Sequence, residues 1–323
     1  MRYISNAYAK LTTALDAIVR GDGDYDKAKI LLPFFYYALF FVSFMHLEGL
    51  DYAIERGGAG FDPRWPLVWT SAFPFETIVT TVFIFAAGTA LFASFFPFSR
   101  LARITAFLGL LGYHAYTASF GGPNHQWDHW LWIAFILIFL PTVRTSPSSE
   151  TRQSFSLVFW TAQAYLLLTY TMAGIGKAIY AAIQFATGQP HAFSPDAGAL
   201  FTATQLNQMG ILTPLGPLII EHPYLAWLPF LIMLELQTFA IIVAFRPQLH
   251  RMWGLGLILF HLGTFLTMRA VFVAPTLLLA IFLLSSPFAP ERTSARDVLY
   301  SIPVFGWLGR KLTHATRTTP DDR

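Results

Sequence analysis

Residues 155–177 read FSLVFWTAQAYLLLTYTMAGIGK, with no formal charge until the closing lysine. About 20 apolar residues suffice to carry a helix across a bilayer, so the run predicts a membrane span ending at Lys177. A lysine at mid-membrane costs roughly 2.5–3.5 kcal/mol on insertion scales. Two readings of it are open. The long stem can lift the ammonium to the headgroups, or the amine has a buried partner or substrate. Gly174 and Gly176 thin the helix beside it, so that a neighbouring helix or a ligand can come close to the backbone.

Composition extends that reading to the whole chain. Of 323 residues, 55% are hydrophobic and only 12% charged, and the mean hydropathy is +0.51. This balance is foreign to a soluble domain and predicts an all-α, polytopic membrane bundle. The absence of cysteine excludes disulfides, thiolate metal sites and cysteine nucleophiles. The net charge of +3 is small and speaks of orientation in a bilayer rather than of nucleic acid. Residues 1–27 carry charges and no long apolar core, so no cleavable signal peptide is expected.

Taken in order, residues 1–29 place Ile4, Leu11, Leu15 and Ile18 at helical spacing among charges, which predicts an amphipathic surface helix. A transmembrane domain is expected over 30–290. Its spans fall near 30–45, 76–96, 101–120, 129–142, 154–177, 224–245, 252–268 and 271–287, about eight in all. The connection 178–223 is long enough to read as an extracytoplasmic cap. A tail over 291–323 contains a second surface helix near 297–312. With the N-terminus cytoplasmic, all of the 21 basic residues except Arg56, Arg64, Lys177 and Arg269 fall on the inner side. The positive-inside rule then places both termini in the cytoplasm.

That topology gathers the awkward polar groups at one face. His46, Glu48 and Glu76 lie at outer span ends, His114 in the outer half of the third span, and Asn124, His125, Asp128 and His129 at the entry to the fourth. Lys177, His261 and Arg269 join them, with Glu235 mid-span. Intramembrane ionisable groups mark pathways or reaction centres. Each also has a structural reading: interfacial residues for His46 and His129, helix-to-helix hydrogen bonds for His114 and His261, a protonated or histidine-paired acid for Glu235, and a staple to a carboxylate for Arg269. The His125-x-x-x-His129 spacing puts two imidazoles on one helical face, a geometry open to a metal. The dense histidine boxes of a membrane di-iron hydroxylase are absent, and no metal is assigned.

Three stretches in order carry a resemblance. Gly-Pro-Asn124-His125-Gln-Trp resembles the Asn-Asn-His-Ser-Tyr-Leu loop of vitamin K-dependent gamma-glutamyl carboxylases. Tyr170-Thr-Met-Ala-Gly-Ile-Gly-Lys177 is similar to their Tyr-Phe-Ile-Ala-Gly-Val-Lys-Lys stretch. Phe260-His261-Leu-Gly-Thr-Phe, with a following apolar run ending Ser-Ser-Pro-Phe, resembles their His-Leu-x-x-x-x-Leu-Phe region. The set covers about residues 30–290 and points to the horizontally transferred transmembrane domain family.

The resemblance implies a reduced, vitamin K-like quinone as cofactor, Lys177 as the base that deprotonates it, and Asn124 with His125 orienting its oxygen. His261, Arg269, His114 and Glu235 would then line the substrate pocket. Desolvation favours a neutral amine, the form a base requires, and a quinol reaches such a site through the lipid. Two departures bear on the substrate. Gly176 stands where the carboxylases have their first lysine, and no large lumenal domain is expected after the last span, so carboxylation of a protein substrate is not expected. The first reading is therefore a membrane enzyme that abstracts a proton from a quinol or another lipid-soluble small molecule, with carboxylase or oxygenase-like chemistry. The second is a non-enzymatic scaffold or accessory subunit whose polar cluster joins helices. A transporter ranks below both, since no inverted repeat is visible in the sequence. Oligomeric state is left open, and no nucleic-acid partner is expected.

Overall fold

The computed structural model describes residues 22–47, 49–121, 125–142, 147–189 and 191–303. Among these residues the chain is helical, with no strand. The helices are α1 (Asp22–Leu47), α2 (Leu50–Arg56), α3 (Phe75–Phe95), α4 (Arg100–Ala118), α5 (His125–Leu137), α6 (Ser149–Ala186) and α7 (Ala197–Met209). They continue with α8 (Gly216–Glu221), α9 (Pro223–Thr238), α10 (Ala240–Ala244), α11 (His250–Met268), α12 (Val273–Leu279) and α13 (Ala295–Ser301).

Among the described residues, four helical segments are long and apolar enough to cross a membrane: Asp24–Leu47, Phe75–Phe95, Ser149–Ala186 and Pro247–Met268. They mark the chain as a membrane protein and correct the expected count of eight. The other four expected spans fail for separate reasons. Helix α4 has the length but is diluted by two arginines, two glycines and a histidine. Helix α5 has 13 residues, about 20 Å at 1.5 Å per residue, against a hydrocarbon core of about 30 Å. The run at 224–245 is interrupted at Phe239. At 271–287, α12 lasts seven residues before a π-helical turn over Ala280–Leu284.

Helix α6 also corrects a boundary. It does not stop at Lys177 but continues to Ala186, because residues 178–186 are further apolar and small helix formers. Gly188, at φ 67°, supplies the left-handed residue just beyond its end. Lys177 therefore projects from within a helix rather than from its end. Of the expected terminal surface helices, the first lies outside the described residues up to position 21, while residues 22–29, expected to belong to that surface segment, instead open the long helix α1; only Ala295–Ser301 of the second region is described.

Contacts divide the described residues into two compact units, one within 22–166 and 272–282, the other within 167–271 and 283–303. In the first, α1 and α4 pack on α3, whose buried stripe includes Ala86, Ala90 and Ala93. At Gly109 of α4 an added Cβ would lie 3.1 Å from the Ala86 Cα, so the two backbones nearly touch there. Phe35 stacks on Trp130 with ring centroids 5.2 Å apart. Trp130 donates its indole proton to the Ala274 carbonyl at 3.2 Å. Arg103, fully buried, donates from Nη1 to the Pro97 carbonyl at 3.0 Å and from Nη2 to the Leu140 carbonyl at 2.6 Å. A residue expected to act as an inner-side charge thus satisfies two helix-end carbonyls.

In the second unit, the C-terminal part of α6 crosses α9 and α10. A Cβ on Gly174 would lie 2.7 Å from the Gln237 carbonyl carbon and 2.8 Å from the Thr238 Cα, closer than any side chain tolerates. Gly176 meets nothing within 4 Å. The break after Thr238 frees backbone groups, and side chains take them up. Thr171 Oγ1 accepts from the Ile241 amide at 2.8 Å, and Trp253 Nε1 donates to the Leu236 carbonyl at 2.8 Å. Helix α11 ends at Arg269, held at φ 54° in the left-handed conformation.

The two glycines separate close packing from helix propensity. Gly174→Ala is expected to lower stability by about 1–3 kcal/mol through overpacking, while Gly176→Ala leaves it unchanged or raises it by up to about 1 kcal/mol. Thermal unfolding of the two variants in one detergent checks this, and equal shifts would show that the backbones do not meet at Gly174.

Candidate functional site

The second unit assembles the polar groups around Lys177. Tyr170, Gly174 and Lys177 stand four and three residues apart on α6, so they share one face. Next to the contact at Gly174, the Lys177 amine donates to Gln237 Oε1 at 2.7 Å. Gln237 is 3% exposed, so its amide belongs to the packed interior. The amine also lies 5.9 Å from the centre of the Phe260 ring, at the outer reach of a cation–π contact. Lys177 as a whole is exposed, in the stretch of α6 where Met172, Ile175, Ile179 and Tyr180 are exposed as well.

Two turns earlier on the same face, the Tyr170 hydroxyl and His261 Nε2 are 2.7 Å apart. Both residues are buried, at 5% and 7% exposure. Phe260 contacts the His261 ring as its chain neighbour, so α11 presents adjacent residues to the amine and to the tyrosine. The sequence singled out His261, and its helix-to-helix hydrogen bond is one of the two roles left open for it. Tyr170 and Gln237 were not singled out as site residues. The seven-residue interval from Tyr170 to Lys177 was the available signal for one, and nothing local distinguishes Gln237 from any polar residue in an apolar helix.

The remaining candidates separate. Glu235 sits on α9 with Oε1 buried and without a hydrogen-bond partner among the described residues, so the expected pairing with a histidine does not form through that oxygen. Arg269 caps α11 and is exposed, eight residues beyond His261, about 12 Å along a helix. Among the described residues no hydrogen bond or ion pair joins Glu235 or Arg269 to Lys177. Asn124 and Glu48 lie outside the described residues, and of His125 only the backbone position opening α5 is described.

The first unit holds a smaller cluster of its own. His114 Nε2 is 3.5 Å from Asp128 Oδ1, which joins α4 to the first turn of α5. His46 sets its ring edge-on to Trp127 at 4.9 Å and gives Nδ1 to the Val42 carbonyl at 2.7 Å. Among the described residues no three metal-ligating side chains gather.

No protein-family model, curated protein or solved structure matches the chain. The roles of these residues accordingly rest on their own geometry, which fixes a measurable coupling. Tyr170→Phe and His261→Leu remove the two ends of one buried bond, and a double-mutant cycle on unfolding free energy is expected to give a coupling of about 1 kcal/mol. Strict additivity would show that the two side chains do not act together.

Proposed function

We propose that the chain is an integral membrane enzyme in which Lys177 abstracts a proton from a lipid-soluble quinol or a related hydroxylated small molecule. The observation that carries this reading is the partner of the amine: among the described residues it is the neutral amide of Gln237, with no ion pair formed. A carboxylate partner would hold the lysine as ammonium. An amide accepts one N–H and leaves the nitrogen lone pair available once the proton has gone, which is the state a general base needs. Lys177 is exposed on a stretch whose apolar neighbours are exposed as well, and the Phe260 ring beside it offers a flat apolar surface to an aromatic substrate. The proton step moves the hydroxyl proton of the substrate to Nζ and leaves a substrate oxyanion beside an ammonium. The ordered resemblance to the gamma-glutamyl carboxylases supports the same assignment for Lys177.

The orientation proposed for the chain has both termini in the cytoplasm. Four spans keep the ends on one side, and the two connections then facing outward, 48–74 and 187–246, hold only Arg56, Arg64 and Arg246 among the basic residues. A scaffold role is the second reading. The Tyr170–His261 and Thr171–Ile241 bonds favour it, since both tie helices of the second unit together without requiring a substrate.

Quinone analysis of the purified protein and its Lys177→Ala variant distinguishes the two. With dioxygen supplied as oxidant, the enzyme reading expects co-purified or added quinol to be oxidised by the wild type and turnover to fall by about 10²–10⁴-fold in the variant, the usual contribution of a general base. Undiminished turnover in Lys177→Ala removes the base role, and a protein that neither retains nor consumes quinone is the scaffold.

A further inference from the structure

The first unit contains a cavity of about 400 Å³ that none of the residues discussed above explains. It lies between the 3-10 turn Val68–Ala72 with its approach, which roofs it through Leu67, Trp69 and Thr70, and the facing sides of α3 and α4. That volume is within the range of small-molecule sites, about 300–1,000 Å³.

Its shape follows from two glycines of α4 that are three residues apart. At Gly109 the helix touches the backbone of α3, which closes one end of the cavity. At Gly112 a Cβ would meet nothing within 4 Å, although Gly112 lines the cavity. The missing side chain there is the space itself.

The lining carries no charged residue. Its side-chain polar groups are three threonine hydroxyls, from Thr70, Thr77 and Thr81, and the indole N–H of Trp69. Thr70 donates to the Leu67 carbonyl at 2.6 Å, so its oxygen remains an acceptor. Thr77 and Thr81 stand one turn apart on α3, a membrane span, and both are exposed. In an apolar medium a threonine hydroxyl ordinarily returns to a carbonyl of the preceding turn, as Thr89 of the same helix does to Phe85 at 2.7 Å. Among the described residues, Thr77 and Thr81 form no such bond. Two donors therefore face an apolar space from which water gains little, and an unmet hydroxyl there is costly.

We infer that this cavity binds an uncharged, lipid-soluble molecule bearing a carbonyl or ether oxygen, which accepts from Thr77 and Thr81 while its apolar body lies towards Phe85 and Leu108. The uncharged lining excludes a phospholipid headgroup, because a phosphate would enter without a cation to meet it. Exposed Trp65, Trp69 and Phe73 precede α3 directly, where aromatic rings mark the level of the membrane interface. The donors thus sit within two turns of the interface. From Thr77 to Phe85 the wall is about 12 Å long, enough for one ring or a short chain segment. Two sources share this chemistry, a lipid quinone and an acylglycerol. The inference does not depend on Lys177, which belongs to the other unit.

Native mass spectrometry of the detergent-purified chain tests it, with a decyl-substituted benzoquinone, a monoacylglycerol and phosphatidylglycerol as probes. Preference for the first or the second identifies the source. Thr77→Val with Thr81→Val keeps shape and removes both donors, and is expected to weaken the preferred neutral probe by about fivefold or more per hydroxyl. Gly112→Leu fills the cavity and is expected to abolish binding, with an unchanged melting temperature showing that the chain still folds. The inference is overturned if phosphatidylglycerol binds as tightly as both neutral probes, if no neutral probe binds, or if the double valine variant binds as the wild type does.

Discussion

The second unit depends on one steric fact: at Gly174 the backbone of α6 reaches the backbone of α9 with no side chain between them. Everything polar nearby is positioned from that crossing. As α6 advances from Thr171 to Gly174 to Lys177, it meets residues 241, 238 and 237, so the two strands of chain run in opposite directions past each other. One turn before the crossing, Thr171 is close enough to satisfy a backbone amide. One turn after it, Lys177 is close enough to reach a side-chain amide. A larger residue at 174 would move both contacts apart together.

The second constraint is the bilayer's intolerance of unmet backbone groups, since irregular backbone persists at membrane depth only where protein buries it. The interruption at Phe239 leaves backbone groups of this kind, and Thr171 and Trp253 take up one amide and one carbonyl around it. The first unit meets the same demand with different donors. There Arg103 serves carbonyls at Pro97 and Leu140, and Trp130 serves Ala274. In both units, long polar side chains within apolar helices finish the hydrogen bonding of short or broken ones. This is why a chain with so few charges still buries an arginine completely.

These compensations explain what was legible in the sequence. The apolar runs near 30–45, 76–96, 154–177 and 252–268 announce themselves by composition, and each becomes a long helix. The run at 224–245 looks equally continuous, yet it breaks at Phe239 without glycine or proline, while Pro229 stays inside α9. The break depends on partners from α6 and α11 that are remote in sequence. Arg103 was legible as a basic residue and misleading in its place, because hydropathy carries no information about which carbonyls a guanidinium will find. His261 stood out because imidazoles are rare in apolar helices. Gln237 did not, because an uncharged amide shows its role only when the amine it accepts from is in view.

The pairing of Lys177 with that amide is itself a product of helix geometry. Glu235 lies on α9 only two residues before Gln237, and residues two apart point to well-separated sides of a helix. With Gly174 bringing Gln237 and Thr238 against α6, the amide is turned towards the amine, and no bond joins Glu235 to it. Had α9 been rotated to present the acid instead, the lysine would form an intramembrane ion pair, whose energetic logic is to keep both charges in place. The observed rotation keeps the amine hydrogen-bonded and positioned but leaves its charge uncompensated by any described neighbour.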